Sequence, residues 1–173
     1  MTAGFPRLLA ILGLISIVVS TQGARVRPQS AASVNLRAVL EGTWVLDEWY
    51  VDGKVLRPPQ VDGRRANHDG THLFIVHRET DGTSYSQVGY GVYKIDANSW
   101  SYMYERMETT TGPTKGPFQV TVSRDPELRP FKISWQGTKL VLEGADEDRR
   151  VYDGQFLTFM QKGQIVRKWR RVN

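Results

Sequence analysis

Hydrophobic and polar residues alternate one by one along most of the chain after Leu40. The stretch 131–136 shows this clearly, since aromatic or aliphatic residues take its odd positions and polar residues its even positions. A two-residue period is typical of β-strands with one buried and one solvated face. Such segments, of about six to ten residues, are separated by pairs such as Asp52-Gly53 and Asp81-Gly82, which favour tight turns. The pattern predicts an antiparallel meander.

A meander with this many strands gains stability by closing on itself, because pairing of the first and last strands removes both exposed edges. We therefore predict an all-β fold, an antiparallel up-and-down β-barrel of about eight to ten strands. A β-sandwich is the alternative, since two packed sheets give the same alternation. Gly89 and Gly91 lie inside one predicted strand, as expected where a strand bends at a barrel corner.

The N-terminal segment has a different composition from the predicted barrel. Leu8–Val19 is an uncharged run of 12 residues, apolar apart from Ser16, followed by small residues up to Ala24. This arrangement is typical of a secretory signal peptide, and the run is too short to span a bilayer as a helix. We predict a cleaved signal at 1–23, a flexible leader at 24–38 and the barrel domain at 39–173, with the protein secreted or periplasmic and without an integral membrane segment after cleavage. An uncleaved N-terminal anchor is the alternative.

Composition narrows the possible functions. The 173 residues include no cysteine, which excludes disulfides, thiolate metal sites and a cysteine nucleophile. Lys and Arg total 23 against 18 Asp and Glu, a formal charge of +5, and this modest excess gives no basis for predicting a nucleic-acid partner.

Two short motifs at the ends of the predicted barrel carry a resemblance to a known family. Gly42-Thr43-Trp44 opens the first strand, and the last strand runs through Trp169-Arg170-Arg171-Val172. The chain resembles lipocalin-like (calycin-type) β-barrel proteins, and among them small secreted bacterial lipocalin-like domains. The resemblance implies that Gly42 and Trp44 close one end of the barrel, with Arg171, or else Arg170, packed across the indole ring.

The resemblance also implies a ligand inside the barrel and a long first loop over its mouth. We predict that 55–69 is this loop, because Pro58-Pro59 blocks strand pairing, and that its arginines at 57, 64 and 65 could meet an anionic head group. Strand parity predicts a mostly aromatic set of inward-facing side chains. The predicted ligand-binding residues share this inward parity and are Glu48, Tyr50, Trp100, Tyr102, Tyr104, Arg106 and Trp135. Parity also places Trp44, Leu46, Phe118 and Phe131 inward.

The expected ligand is a small hydrophobic or amphipathic molecule, oriented by tyrosine hydroxyls and by Glu48. Because an unpaired inward carboxylate is costly, Glu48 is expected to be paired, with Arg106 as the candidate near one mouth, or to lie at the rim, or to contact the ligand. A filled core without a cavity is the alternative. No motif for nucleophilic, phosphate-binding or zinc-protease chemistry is found, so no catalytic residue is predicted. Two further function classes stay open, namely an enzyme or isomerase that uses Glu48, Arg106 and the tyrosines, and a structural or inhibitory envelope protein.

The three histidines fall within ten residues, at 68, 72 and 77. A glycine turn separates the first two, and a spacing of five places His72 and His77 on opposite faces of a strand. We therefore predict no metal site and no cofactor. A single His77 at a barrel mouth could ligate haem or titrate, and otherwise these histidines lie at solvated strand ends.

Overall fold

The computed structural model describes residues 31–172. One helix, α1 (Ala31–Leu40), precedes eleven β-strands, and a short 3-10 turn lies at Ala145–Glu147. In chain order the strands are β1 (Gly42–Val51), β2 (Lys54–Leu56), β3 (Val61–His68), β4 (Thr71–Thr80), β5 (Thr83–Ile95), β6 (Ser99–Pro113), β7 (Gln119–Gln136), β8 (Lys139–Glu143), β9 (Arg149–Asp153), β10 (Phe156–Gln161) and β11 (Gln164–Val172).

The strands form one antiparallel sheet that closes on itself. From β3 to β11 each strand pairs with the next along the chain, and β1 joins the two ends by pairing with both β3 and β11. Ten strands complete the ring, while the short β2 pairs with the last residues of β1 outside it. The predicted all-β antiparallel up-and-down barrel is confirmed, and closure excludes the sandwich alternative.

Asp52-Gly53 connects β1 to β2 and Asp81-Gly82 connects β4 to β5, as predicted, whereas Asp62-Gly63 lies inside β3. At Asp52-Gly53 the φ angles are 49° and 72°, and at Asp81-Gly82 they are 50° and 76°. Two successive residues with positive φ are typical of the type I′ turn, whose twist matches that of a two-stranded hairpin. Glycine accepts this conformation without steric cost and aspartate tolerates it well.

Two β-bulges reverse the strand parity and correct the predicted orientations. In the β1–β11 pair the register skips Asp47, so that Trp49 turns inward whereas Glu48 and Tyr50 face outward. In the β5–β6 pair the register skips Glu105. Because one extra residue moves every following side chain to the other face, the inward orientation predicted for Glu48, Tyr50 and Arg106 is wrong.

Gly91 marks the place where β5 and β6 approach most closely. A Cβ atom at this position would lie 1.9 Å from the backbone oxygen of Met103. At Gly89 a Cβ would lie 2.5 Å from the ring of Phe74, which fills the interior at that point. Both glycines therefore allow contacts that a larger residue would prevent, and the bulge after Tyr90 agrees with the predicted bend.

Helix α1 closes one end of the barrel. Leu36 and Leu40 are buried in the same hydrophobic cluster as the barrel interior. The amide of Asn67 on β3 donates to the backbone oxygen of Leu40 at 2.9 Å, and the hydroxyl of Tyr93 on β5 donates to Glu41 at 2.6 Å. These contacts attach the helix to the barrel wall, and we call this the closed end.

At the opposite end, which we call the open end, some strands extend further than others. Strands β5, β6 and β7 are 13, 15 and 18 residues long, and β7 pairs with β8 only through 132–136. The segment 119–125 of β7 therefore pairs with β6 and extends beyond the end of β8. Phe118 is 50% exposed, which corrects its predicted inward position and is explained by this extension.

The prediction that 55–69 forms a loop is also wrong. It contains β2 and all of β3, in which buried and exposed side chains alternate. The sequence of β3, VDGRRANH, has one large aliphatic residue, so its alternation is not recognisable as a strand pattern.

Helix α1 overlaps the predicted leader at 24–38, and the predicted signal at 1–23 lies outside the described residues. In the range 31–172 no helix is long and apolar enough to span a membrane.

Candidate functional site

The closed end brings together the residues that the lipocalin resemblance implied. Trp44 is buried and pairs in register with Arg171, whose guanidinium carbon lies 5.1 Å from the indole centroid. Arg171 donates to the backbone oxygens of Ala38 at 3.2 Å and Val39 at 3.0 Å, and also to that of Glu41. These carbonyl groups belong to the end of α1, where the helix dipole is negative.

The absence of a side chain at Gly42 makes this contact possible. Gly42 has a φ of 144°, and a Cβ atom there would lie 2.9 Å from the Arg171 guanidinium. The arginine is thus enclosed by an indole ring, backbone oxygens and a glycine. This arrangement seals the closed end and leaves the open end as the route into the barrel.

Above the closed end, aromatic rings fill much of the interior. Trp100 stacks on Tyr102 with ring centroids 4.9 Å apart, and Tyr102 contacts Tyr104 edge-on at 5.3 Å. Phe131 lies 5.5 Å from Trp100, and His72 lies 5.1 Å from Tyr104. Trp100, Tyr102 and Tyr104, all predicted as ligand-binding residues, therefore come together in one buried cluster.

Arginine side chains lie among these rings. Arg65 on β3 is 1% exposed and Arg150 on β9 is 4% exposed. The guanidinium carbons of Arg65 and Arg150 lie 5.0 Å and 4.2 Å from the ring centroid of the same residue, Phe159. Nearer the open end, Arg167 stacks on Trp49 at 4.1 Å. No aspartate or glutamate belongs to the buried residues in the described range.

The buried arginines have more hydrogen-bond donors than the protein supplies acceptors. Arg150 donates to the Tyr102 hydroxyl at 3.1 Å and to the Asp148 carboxylate at 3.0 Å. Within the described residues, however, Nε and Nη2 of Arg65 and Nε and Nη1 of Arg150 have no partner, and neither has Nε of Arg167. Buried polar groups are nearly always hydrogen-bonded in folded proteins. These donors are therefore available to a group that the chain does not provide.

Burial affects the ionisation of this region. It lowers the pKa of Arg65 and lowers that of Arg167 to about 10, because a nonpolar surrounding disfavours the charged form. Guanidinium groups nevertheless remain protonated at neutral pH. The interior thus combines several positive charges with few acceptors, which gives it a strong preference for negative charge.

His72 is neutral in this environment. Burial, followed by the charges of Arg65 and Arg150, lowers the pKa of His72 well below its usual value. Its Nδ1 lies 3.0 Å from Oδ1 of Asn67, whose amide nitrogen already donates to Leu40. Nδ1 therefore carries the proton, and Nε2 is an acceptor without a partner in the described residues.

A pocket of about 1010 Å³ lies at the open end, where β7 extends past β8. Its wall is formed by β7, by the turn before β9 and by the hairpin between β10 and β11. Phe131 and Asp148 line this pocket, and both also contact Arg150. The pocket and the surroundings of Arg150 thus share these two residues, while Arg150 itself lies behind the pocket lining.

Glu48 and Tyr50 take part in a charged network on the outer wall instead of the interior. Glu48 accepts from the Tyr50 hydroxyl at 2.5 Å, from Lys168 at 3.1 Å and from Arg57 at 2.5 Å. The Tyr50 hydrogen bond, and then those of Lys168 and Arg57, lower the pKa of Glu48 to about 2 although partial burial opposes the shift. Glu48 is thus paired, but with different residues than predicted.

Other predicted residues lie away from the buried cluster. Arg106 on β6 pairs with Glu108 at 3.1 Å, far around the barrel from Glu48, so the predicted Glu48–Arg106 pair does not form. Trp135 lies near the end of β7 and is 47% exposed. His77 is partly exposed and lies 3.5 Å from Glu79. No group of three metal-binding side chains occurs in the part of the chain that the structure describes.

Arg65, Arg150, Arg167 and His72 are the site residues that sequence reasoning missed. Arg65 was assigned to a mouth loop, and Arg150 and Arg167 were not considered as interior residues. The sequence gives no clear signal for Arg65, because positions 61, 63, 65 and 67, which are buried in β3, hold only one large aliphatic residue. An arginine at such a position contradicts the usual expectation that charged residues are exposed.

Comparisons with known proteins find no match. No protein-family model, no curated protein and no solved structure is similar to this chain. The closed antiparallel barrel is compatible with a lipocalin-like fold, and the buried aromatic cluster is compatible with ligand binding.

Proposed function

We propose that this protein is a lipocalin-like binding protein that takes up a small amphipathic molecule through the open end of its barrel. The main support is the position of the pocket at the open end beside the buried cluster, since Phe131 and Asp148 line the pocket and also contact Arg150. A concave site with apolar walls and a few polar groups is the usual form of a small-molecule site. The sealed closed end makes the open end the natural entrance.

The pocket walls suit the apolar part of such a molecule. Leu128, Pro130, Phe131 and Val166 contribute apolar surface, and Arg129 and Lys162 contribute charge. A ligand with a hydrocarbon body would bury its apolar surface here at about 25 cal/mol per Å². The aromatic rings below it are closely packed, so the ligand lies at the upper part of the barrel instead of filling its full depth.

Blocking the pocket tests this proposal. We expect the neutral fluorophore 1-aminoanthracene to bind the wild-type protein, and Leu128→Arg to reduce that affinity at least tenfold by placing a charge in the pocket. Leu128 is 38% exposed, so the substitution leaves the core intact. Val120→Arg is the matched control, because Val120 lies on the same strand, is 58% exposed and is outside the pocket. Absence of binding to the wild-type protein, or equal binding by Leu128→Arg, would contradict the proposal.

A second candidate function is a structural or inhibitory protein that acts through its outer surface. Neighbouring strands present exposed apolar side chains on the outer wall, at positions 73, 75, 88, 90, 120 and 122. Monomeric proteins rarely expose apolar patches of this kind without a binding function. Size-exclusion chromatography with light scattering, comparing the wild type with Val88→Lys, would show whether the surface holds a partner copy.

We also propose that the protein is exported by the predicted signal at 1–23. The apolar run and the small residues after it support this proposal. Mass spectrometry of the protein from its host should find a mature N-terminus close to Ala24 in a periplasmic or culture fraction. A cytoplasmic protein that retains Met1 would contradict it.

A further inference from the structure

Buried arginines are usually paired with carboxylates, and Arg65 is not. Its side chain is almost completely enclosed, and at least two of its donor nitrogens have no acceptor in the described residues. Leaving a buried charge without a counter-charge is strongly destabilising. A chain that keeps an arginine at this position accepts that cost, which points to a role that requires the charge.

Arg65 and Arg150 converge on one place. Both guanidinium groups contact the ring of Phe159, at 5.0 Å and 4.2 Å, and each contributes to the low pKa of His72. Together they offer at least four unpartnered N–H-bearing atoms. A water molecule could accept some of these hydrogen bonds, but it cannot offset the charge of Arg65, whereas Arg150 already pairs with Asp148. An oxyanion supplies both the acceptors and the charge.

We propose that Arg65 and Arg150 form an internal binding site for the oxyanion group, a carboxylate or a phosphate, of an amphipathic ligand. The inference rests on the proposed ligand-binding function and adds the chemical class of the ligand. The oxyanion lies between the two guanidinium groups, and the hydrocarbon part extends past Phe131 into the pocket at the open end.

The contacts of Arg150 support this geometry. Asp148 lines the pocket and places a carboxylate oxygen 3.0 Å from Nη2 of Arg150, so this guanidinium already pairs with a carboxylate on its side toward the open end. Nε and Nη1 of Arg150 are still without partners. Arg65 has no comparable neighbour, since no salt bridge to it occurs in the described residues. The ligand oxyanion therefore interacts chiefly with Arg65 and shares Arg150 with Asp148.

Four ligands of equal chain length test the charge preference, each kept below its micellar concentration in calorimetric titrations. We expect dodecanoate or dodecyl phosphate to bind at least tenfold more tightly than dodecanol, and dodecyltrimethylammonium to bind most weakly. The comparison of dodecanoate with dodecyl phosphate identifies which oxyanion the site prefers. A ³¹P chemical-shift change of dodecyl phosphate on binding would report directly on the environment of its phosphate.

Arg65→Met tests the residue itself, and Arg64→Met is the matched control. Arg64 is the preceding residue on β3, and its side chain is 57% exposed. Arg65→Met should reduce the affinity for dodecanoate or dodecyl phosphate to that for dodecanol, leave dodecanol binding unchanged, and raise the Tm of the ligand-free protein because an unpaired buried charge is removed. Arg64→Met should change none of these quantities. If Arg65→Met does not fold, Arg65→Lys, which keeps the charge but not the planar donor geometry, should bind the oxyanion ligands with intermediate affinity.

The outcomes separate the two proposals. If none of the four ligands binds the wild-type protein, both the ligand-binding function and the oxyanion site are wrong. If dodecanol binds as tightly as dodecanoate and dodecyl phosphate, ligand binding stands and the oxyanion site is wrong. Equal loss of dodecanol and oxyanion binding in Arg65→Met, together with a lower Tm, would show that Arg65 has a structural role only.

Discussion

Two arginines flank Trp44 on the neighbouring strands, and they differ in the hydrogen-bond acceptors that surround them. In register, Trp44 pairs with Arg171 on β11 and with Arg65 on β3. Each guanidinium stacks on an aromatic ring at a similar distance, 5.1 Å for Arg171 on Trp44 and 5.0 Å for Arg65 on Phe159. Arg171 donates to backbone oxygens at the end of α1, whereas Arg65 finds no such acceptors.

The difference shows that an arginine side chain can contribute either to the stability of the fold or, as we propose for Arg65, to ligand binding. At the closed end the helix C-terminus supplies a partial negative charge of about half an electron, so the charge of Arg171 is partly balanced within the fold. In the part of the interior that the structure describes, no such group faces Arg65. Aromatic stacking alone, at about 0.5–2 kcal/mol, does not offset the loss of hydration of a buried charge. The closed end is thus complete as it stands, and the interior is not.

The largest effect is expected where the helix plugs the barrel. Leu40, the last residue of α1, is fully buried, so Leu40→Ala should lower the free energy of unfolding by about 3 kcal/mol, through lost apolar burial and a new cavity. Leu128→Ala at the open end should cost less than about 0.5 kcal/mol, because that side chain remains partly exposed. Urea denaturation followed by fluorescence measures both. Similar losses for the two variants would show that the ends of the barrel do not differ as described.

A smaller effect of known sign is expected at Arg171. Arg171→Met removes the charge-assisted hydrogen bonds to the backbone and should lower the free energy of unfolding by about 2 kcal/mol. Arg170→Met, the adjacent outward-facing residue, should change it by less than about 0.5 kcal/mol. The comparison with Arg65 breaks down if Arg171→Met stabilises the protein, as is expected for Arg65→Met. Urea titrations of these three variants decide the point.

The smallest effect concerns Glu48, a charge that is satisfied on the outer wall. Its pKa of about 2 lies below its usual value of 4.5, so its contribution to stability is present above pH 4.5 and is lost as the pH falls through 2. After allowance for solvent screening, we expect about 1 kcal/mol. Thermal unfolding from pH 6 to pH 2 should show a steeper fall for the wild type than for Glu48→Gln. Parallel curves would show that the network adds no pH-dependent stability.

The sequence was sufficient to predict the barrel but not all of its interior. Alternation and Asp-Gly turns identify strands because both depend on residues that are close in sequence. Bulges at Asp47 and Glu105 could not be predicted, since each depends on the register with a neighbouring strand. Parity therefore placed Trp100, Tyr102 and Tyr104 correctly in the interior and placed Glu48, Tyr50 and Arg106 wrongly.

The buried arginines could not be predicted for a different reason. Arg65 lies in a strand without a hydrophobic run, and its burial depends on side chains such as Phe159 that are distant in sequence. Trp135 has the same parity as the buried Phe131 but lies near the strand end. Burial along a strand depends on depth in the barrel as well as on face, and depth is set by the closed ring.

Closure of the ring also has a kinetic consequence. Every strand pairing except that of β1 with β11 joins strands that are consecutive in the chain or, for β1 and β3, separated only by the short β2. Such pairings form quickly because short loops lose little entropy on closing. The pairing of β1 with β11 joins the two ends of the domain, with Thr43 opposite Val172. This pairing has the greatest sequence separation of all the strand pairings, so it raises the contact order and slows folding. Trp44 and Trp169 lie one on each closing strand, so their fluorescence should report the step in which β1 pairs with β11 and closes the barrel.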